Sequence, residues 1–245
     1  MCRMLVALGN VNILPLIEGL KHMAKNGSKV TSHMVKNLTD EELKKVFETK
    51  QPYHDDGWGI AYQDNNQFQI KKSLKPVFED NTEEFNKIKN NFVLLHARFK
   101  TVGEKKLENT QPYQHNEFVF CHNGTIKKEI IYNKDKFKLK GNTDSEQLFY
   151  SILSKELPIK EAIKKTFDEI ELKPNSNIIL SNKEKTYIYS SYRTIPDYIQ
   201  MYVGKGENLL VISSEILPQL NITWKKLPFE KVIEINNNTL EIIQH

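Results

Sequence analysis

The sequence predicts an α+β fold with stacked sheets and helices on the outside. Three observations carry this: a strand-like apolar run at the start, two capped amphipathic helices in the middle, and a strand-rich stretch after Pro174. "CRMLVALG" is short and nearly continuously apolar, as in a buried strand. "ILPLIEGLKHMAKN" carries apolar residues at helical spacing and meets a stop signal at Gly27. "TDEELKKVFETK" opens with a Thr/Asp cap and acids in its first turn, so a second helix is expected there. "GWGIAYQ" and "FQIKKSL" read as a hairpin about "DNN". "NFVLLHARF" and "NEFVFCHNG" read as two more strands. "TDSEQLFYSILSKEL" and "IKEAIKKTFDEIEL" are the two amphipathic helices. "SNIILSN", "KTYIYSSY", "LLVISSE", "KVIEINN" and "LEIIQ" complete the strands. No repeat, low-complexity tract or linker interrupts the chain, so a single domain over residues 1–245 is expected.

Composition narrows the function. The chain has 245 residues, with 35 Lys+Arg against 31 Asp+Glu and a formal charge of only +4. Basic and acidic residues interleave, with no basic stripe spaced by aromatics, so nucleic acid is not an expected partner. No long apolar run suggests a membrane span, and the N-terminus lacks the pattern of a signal peptide. Cys2 and Cys121 alone make neither a disulfide framework nor a zinc site. A cytoplasmic location is the expectation.

Several residues stand out chemically, each with a plain structural alternative. Loss of Met1, permitted by a small second residue, would leave Cys2 with both a thiol and a free α-amine. The amine's ordinary pKa of about 7.7–8.0 lets it act as a base. As an internal residue Cys2 would be a small buried hydrophobe. In "LLHARFKT", alternation turns His96 and Arg98 away from Val93, Leu95 and Ala97. The guanidinium of Arg98 suits a carboxylate, whether a ligand's or a neighbouring side chain's. Asn123 and Gly124 end a strand, and an Asn amide with a Gly N–H can form an oxyanion hole or merely a turn. Cys121 is a rival thiol, but it has no α-amine and reads as core. Thr143, Asp144 and Ser145 begin a helix, where each is either a cap or, for the acid, a site for an ammonium group. "HDDGWGIAY" offers His54, Asp55 and Asp56 without suitable metal-ligand spacing. Its glycines suggest a close backbone approach instead.

Taken together and in order, these motifs resemble the class II glutamine amidotransferases, which are N-terminal-nucleophile hydrolases. The carrying residues are Cys2 after Met1, "HARFKT" with Arg98 and Thr101, "NTQPYQ" at 109–114, "HNGTI" with Asn123 and Gly124, and "NTDSE" with Asp144. "CRMLVALGN", "HDDGWGIAY" and "VISSEIL" are similar to the small stand-alone branch, which includes YafJ-like proteins and the γ-glutamyl hydrolase of ergothioneine synthesis. The resemblance implies a four-layer αββα sandwich. It implies Cys2 as nucleophile with its own α-amine as base, and Asn123 and Gly124 as oxyanion donors. It also implies Arg98 for the substrate α-carboxylate, Thr101 supporting that site, and Asp144 for the α-ammonium. No cofactor or metal is implied. The expected ligand is glutamine or a γ-glutamyl small molecule, and an acceptor or synthase, if any, would be a separate subunit.

Two departures are visible. Phe99 stands where many members have Trp, and Lys100 stands where a small residue is frequent. Lys100 is expected on the opposite face of the strand from Phe99. Three further readings compete: a hydrolase for a larger γ-glutamyl amide, a non-catalytic binding homologue, and an acylase of the bile-salt or penicillin type.

Overall fold

The computed structural model describes residues 2–26, 53–65, 67–86, 88–194 and 196–245. The helix expected over 39–50 lies outside these residues. β1 (Arg3–Asn12) is followed by α1 (Ile13–Asn26), then β2 (Trp58–Asp64), β3 (Gln67–Ser73), β4 (Lys89–Ala97), β5 (Tyr113–His115) and β6 (Phe118–Gly124). Next come α2 (Asp144–Leu153) and α3 (Ile159–Glu169), then β7 (Ser176–Ser181), β8 (Lys185–Ser191) and the single-turn α4 (Pro196–Ile199). β9 (Tyr202–Gly206), β10 (Leu209–Ser213), β11 (Thr223–Lys226), β12 (Ile233–Asn236) and β13 (Ile242–Gln244) close the chain. None of the described helices is long and apolar enough to cross a membrane.

The strands form two antiparallel sheets, ordered β11-β9-β10-β1-β4-β2-β3 and β13-β12-β8-β7-β6-β5. Alternation along β1 explains the layers. Met4, Val6 and Leu8 face the second sheet and pack with Cys121, Ile179 and Ile188. Leu5 and Ala7 face α1, with Leu16, Ile17 and Leu20. The outer face of the second sheet carries Phe120, Ile178 and Leu180 against Leu148, Phe149 and Ile163 of α2 and α3. This is an αββα sandwich. Burying each large side chain contributes roughly 1.5–3 kcal/mol, so apolar packing fixes the register. A one-residue slip in β1 would move Met4, and Cys2 with it, to the wrong face.

The β2–β3 hairpin forms as expected, with Trp58 opposite Ser73. β5, β9, β11 and α4 were not expected from sequence. β5 has only three residues, and β9 and β11 read "YVGKG" and "TWKK", without an apolar run. Gly59 fulfils the close-approach expectation: a Cβ there would lie 2.4 Å from the Gln111 carbonyl oxygen. The Lys100 expectation needs correction. β4 ends at Ala97, so strand alternation does not extend to Lys100. Its side chain is exposed, and its backbone N–H donates to Asp56 Oδ2 at 2.7 Å.

Candidate active site

The site is built where the strands bordering the inter-sheet layer end. Arg3 pairs with Ala97, so Cys2 stands beside Arg98 at the ends of β1 and β4. Cys2 is 7% exposed. The Phe99 N–H points at its Sγ from 3.5 Å, and the thiol lies 3.7 Å from the Phe99 carbonyl oxygen. Burial pushes the thiol pKa up; the charge of the terminal ammonium, the Phe99 N–H and the Arg98 charge pull it down, and the Asp144 charge pushes it up. The balance keeps the thiol protonated at neutral pH, so attack requires a base.

Arg98 is 3% exposed. Nη1 donates to the Glu104 carbonyl at 2.9 Å, and Nη2 to those of Val102 and Gly103 at 3.0 and 3.4 Å. The loop after β4 thus wraps the guanidinium, and the Arg98 N–H is tied to the Gly57 carbonyl at 2.8 Å. No carboxylate among the described residues pairs with it. The simple strand-end salt bridge is therefore not what the fold builds. A buried cation without a counter-ion is costly unless a ligand supplies one.

The second sheet supplies the opposite wall. Asn123 follows Val119 and Cys121 on the inward face of β6 and sits opposite Asn177 of β7. Its Oδ1 is buried without a hydrogen-bond partner among the described residues. The strand beneath it is held rigidly. Gln111 accepts from the His122 N–H at 2.6 Å and donates to the His122 carbonyl at 3.1 Å. The His122 ring, facing the helices, lies 2.8 Å from both the Ser145 and Ser176 hydroxyls. Cys121 is fully buried in the core, and burial raises its pKa well above the ordinary value. That agrees with its core reading.

Thr143 caps α2, accepting from the Glu146 N–H at 3.2 Å. This frees Asp144 from the capping role. Its Oδ2 accepts from the Ile126 N–H at 2.7 Å and its Oδ1 from the Ser145 N–H at 3.0 Å. It forms no ion pair among the described residues. Thr101 and Thr125 join their hydroxyls at 2.8 Å, linking the Arg98 loop to the Asn123 loop. The His54–Asp56 stretch is structural: the His54 N–H donates to the Ala24 carbonyl at 2.9 Å, and Asp56 receives Lys100.

Sequence reasoning assigned no role to three residues beside the candidate site. Gln111 lay inside a quoted motif but had no assigned role. Arg3, fully buried, donates from Nη1 to the Cys2 carbonyl at 3.2 Å and pairs through Nε with Glu215 at 2.7 Å. His96 shares the inward face with Arg98, and its ring makes only a loose contact with the His122 backbone, with no well-aligned hydrogen bond among the described residues. Burial, reinforced by the Arg98 charge, pushes its pKa down to about 3, so the imidazole is neutral. A separate cavity of about 210 Å³ between β3 and β5 is lined by Lys72, Tyr113 and Glu146 and includes none of the site residues above.

A family comparison matches residues 45–242 to the class-II glutamine amidotransferases. The chain belongs to this family. A putative glutamine amidotransferase of Haemophilus influenzae is 32% identical over 150 residues, 54% of this chain and 50% of that protein. Putative glutamine amidotransferase YafJ of Escherichia coli is 30% identical over 109 residues, 42% of this chain and 43% of that one. The chain spans about half the length of the curated relatives it matches. The solved structure of a glutamine aminotransferase class-II domain protein from Silicibacter pomeroyi superposes with a TM-score of 0.61. It covers 100% of this chain and 98% of its own at 14% identity, which shows the shared fold. As a class-II glutamine amidotransferase family member, the chain carries the αββα sandwich described above.

Proposed function

We propose that this chain hydrolyses the side-chain amide of glutamine, or of a γ-glutamyl compound, through a thioester on Cys2. The reading rests chiefly on one observation: a buried guanidinium and a buried carboxylate, Arg98 and Asp144, lie close enough to Cys2 for their charges to act on its thiol, and neither has an ion-pair partner among the described residues. Two unmatched opposite charges fit the α-carboxylate and α-ammonium of an amino acid. Holding both ends would place the side-chain amide against the thiol, the gain being one of orientation.

In this mechanism, removal of Met1 exposes the α-amine of Cys2. The amine takes the thiol proton, and Sγ attacks the amide carbon. Asn123 and the Gly124 N–H stabilise the oxyanion, a role in which each donor contributes roughly 2.7–4 kcal/mol. The C–N bond breaks as the amine returns its proton to the leaving group, releasing ammonia. Water, deprotonated by the same amine, attacks the thioester and frees glutamate, and the proton returns to sulfur. The absence of any histidine hydrogen bond to Sγ among the described residues favours the amine as base. Thr101 keeps the Arg98 loop against the oxyanion loop. In this reading residues 45–242, the span matched to the family, belong to one glutaminase domain.

The test is ammonia release from glutamine by the Met1-processed protein. Cys2→Ala should abolish it with the fold intact. Equal rates in Cys2→Ala and wild type would overturn the reading.

A further inference from the structure

We infer that Arg3 is a positioning residue for the nucleophile, acting with Glu215 to tether the processed chain end. The inference rests on the thioester reading above but adds a residue that reading does not use. Once Met1 is gone, Cys2 keeps only one peptide bond, and chain ends fray unless tied down. Two ties are visible. The backbone of Phe99 contacts Sγ from both its N–H and its carbonyl. Arg3 folds back so that Nη1 donates to the Cys2 carbonyl at 3.2 Å.

Arg3 is itself immobilised. Its Nε donates to Glu215 Oε1 at 2.7 Å, and Glu215 follows β10, the strand next to β1. The guanidinium lies 5.1 Å from the Tyr198 ring centroid of α4. The side chain is fully buried, yet Nη2 has no hydrogen-bond partner among the described residues. Packing alone would not select a charged side chain here. Its Nε and Nη1 join Glu215 to the peptide unit carrying the nucleophile, a span that one ammonium on a flexible stem cannot hold in the same fixed geometry. The peptide plane of Cys2 is thereby fixed, and the Phe99 contacts hold its side chain. Together they leave the amine and the thiol on a rigid support.

The test uses the full processed chain and reads turnover and thiol modification separately. Arg3→Met should lower kcat for glutamine at least tenfold with KM within about threefold, because substrate contacts are untouched. The same variant should be alkylated at Cys2 by iodoacetamide faster than wild type, because the loosened chain end is more exposed, while Cys121 stays protected. Arg3→Lys should not rescue kcat. Glu215→Gln, which keeps an acceptor for Nε, should retain more activity than Arg3→Met. The Arg3→Met/Glu215→Gln pair, which leaves no buried charge unmatched, guards against simple unfolding. Unchanged kcat and unchanged Cys2 alkylation in a folded Arg3 variant would overturn the inference. So would Cys121 becoming alkylated in step with activity loss in the charge-neutral double variant, since that marks a purely structural role. If wild type turns over neither glutamine nor a γ-glutamyl amide, the thioester reading fails, and alkylation of Cys2 against Cys121 still decides the role of Arg3.

Discussion

Arg98→Met perturbs the site where its geometry is most explicit. The guanidinium has five N–H donors, and three contacts go to the carbonyls of Val102, Gly103 and Glu104. Two donors remain for a substrate carboxylate. A hydrogen bond to a charged partner contributes about 1.5–3 kcal/mol. Losing two should therefore lower kcat/KM for glutamine by about 10²- to 10⁴-fold. Arg98→Lys keeps the charge but not the fork, and should lose about half of that free energy. The assay compares glutamine with its α-amide, in which a neutral group replaces the carboxylate. Wild type should prefer glutamine strongly, and Arg98→Met should lose most of that preference. The loop carbonyls also lose their donor, so a melt checks folding. Should Arg98→Met prove unstable, Arg98→Lys carries the comparison. If folded variants discriminate glutamine from its α-amide as well as wild type does, Arg98 does not read the carboxylate, and the reasoning from its unpaired charge is wrong.

Two further outcomes follow from the same geometry. Asp144→Asn keeps an acceptor for the Ile126 N–H but removes the charge facing the ammonium, so kcat/KM for glutamine should fall about 10- to 100-fold; an unchanged value in steady-state kinetics would remove Asp144 from substrate binding. Stability should also fall in mild acid. Burial holds His96 neutral with a pKa of about 3 in the folded chain, against about 6.5 unfolded. As pH drops below about 6.5 the unfolded chain takes up a proton that the folded chain refuses, so stability is full above that value and lost below it. At pH 5.5 this amounts to about 1.4 kcal/mol for His96 alone, and His122, also pushed down by burial, adds to it. Urea midpoints measured at pH 7.5 and 5.5 check the sign; equal midpoints would contradict it.

The parts of the molecule legible in sequence were those with a strong local signal. β1, β4 and β6 bury side chains on both faces or carry long apolar runs, and α2 announces itself with Thr143 and two first-turn acids. The candidate site residues Cys2, Arg98, Asn123 and Asp144 stand out in sequence because they end or begin such elements, where a side chain leaves the packed layers. The short strands β5, β9 and β11 were not, since pairing with longer neighbours rather than their own pattern holds them in place. Arg3 and Glu215 were invisible for a related reason. Their sequence separation is 212 residues, and nothing local marks a buried arginine within an apolar run. Gln111 likewise acts through a contact with His122 that depends on two non-adjacent segments meeting.

The central claim is that Cys2, exposed as the N-terminal residue, is the nucleophile of a glutaminyl pocket. Intact mass before and after incubation with a diazoketone analogue of glutamine tests it most directly. The account predicts a starting mass lacking Met1 and a single adduct that maps to Cys2 and vanishes in Cys2→Ala. A chain that keeps Met1 in its own host, or an adduct on Cys121 instead, would contradict it.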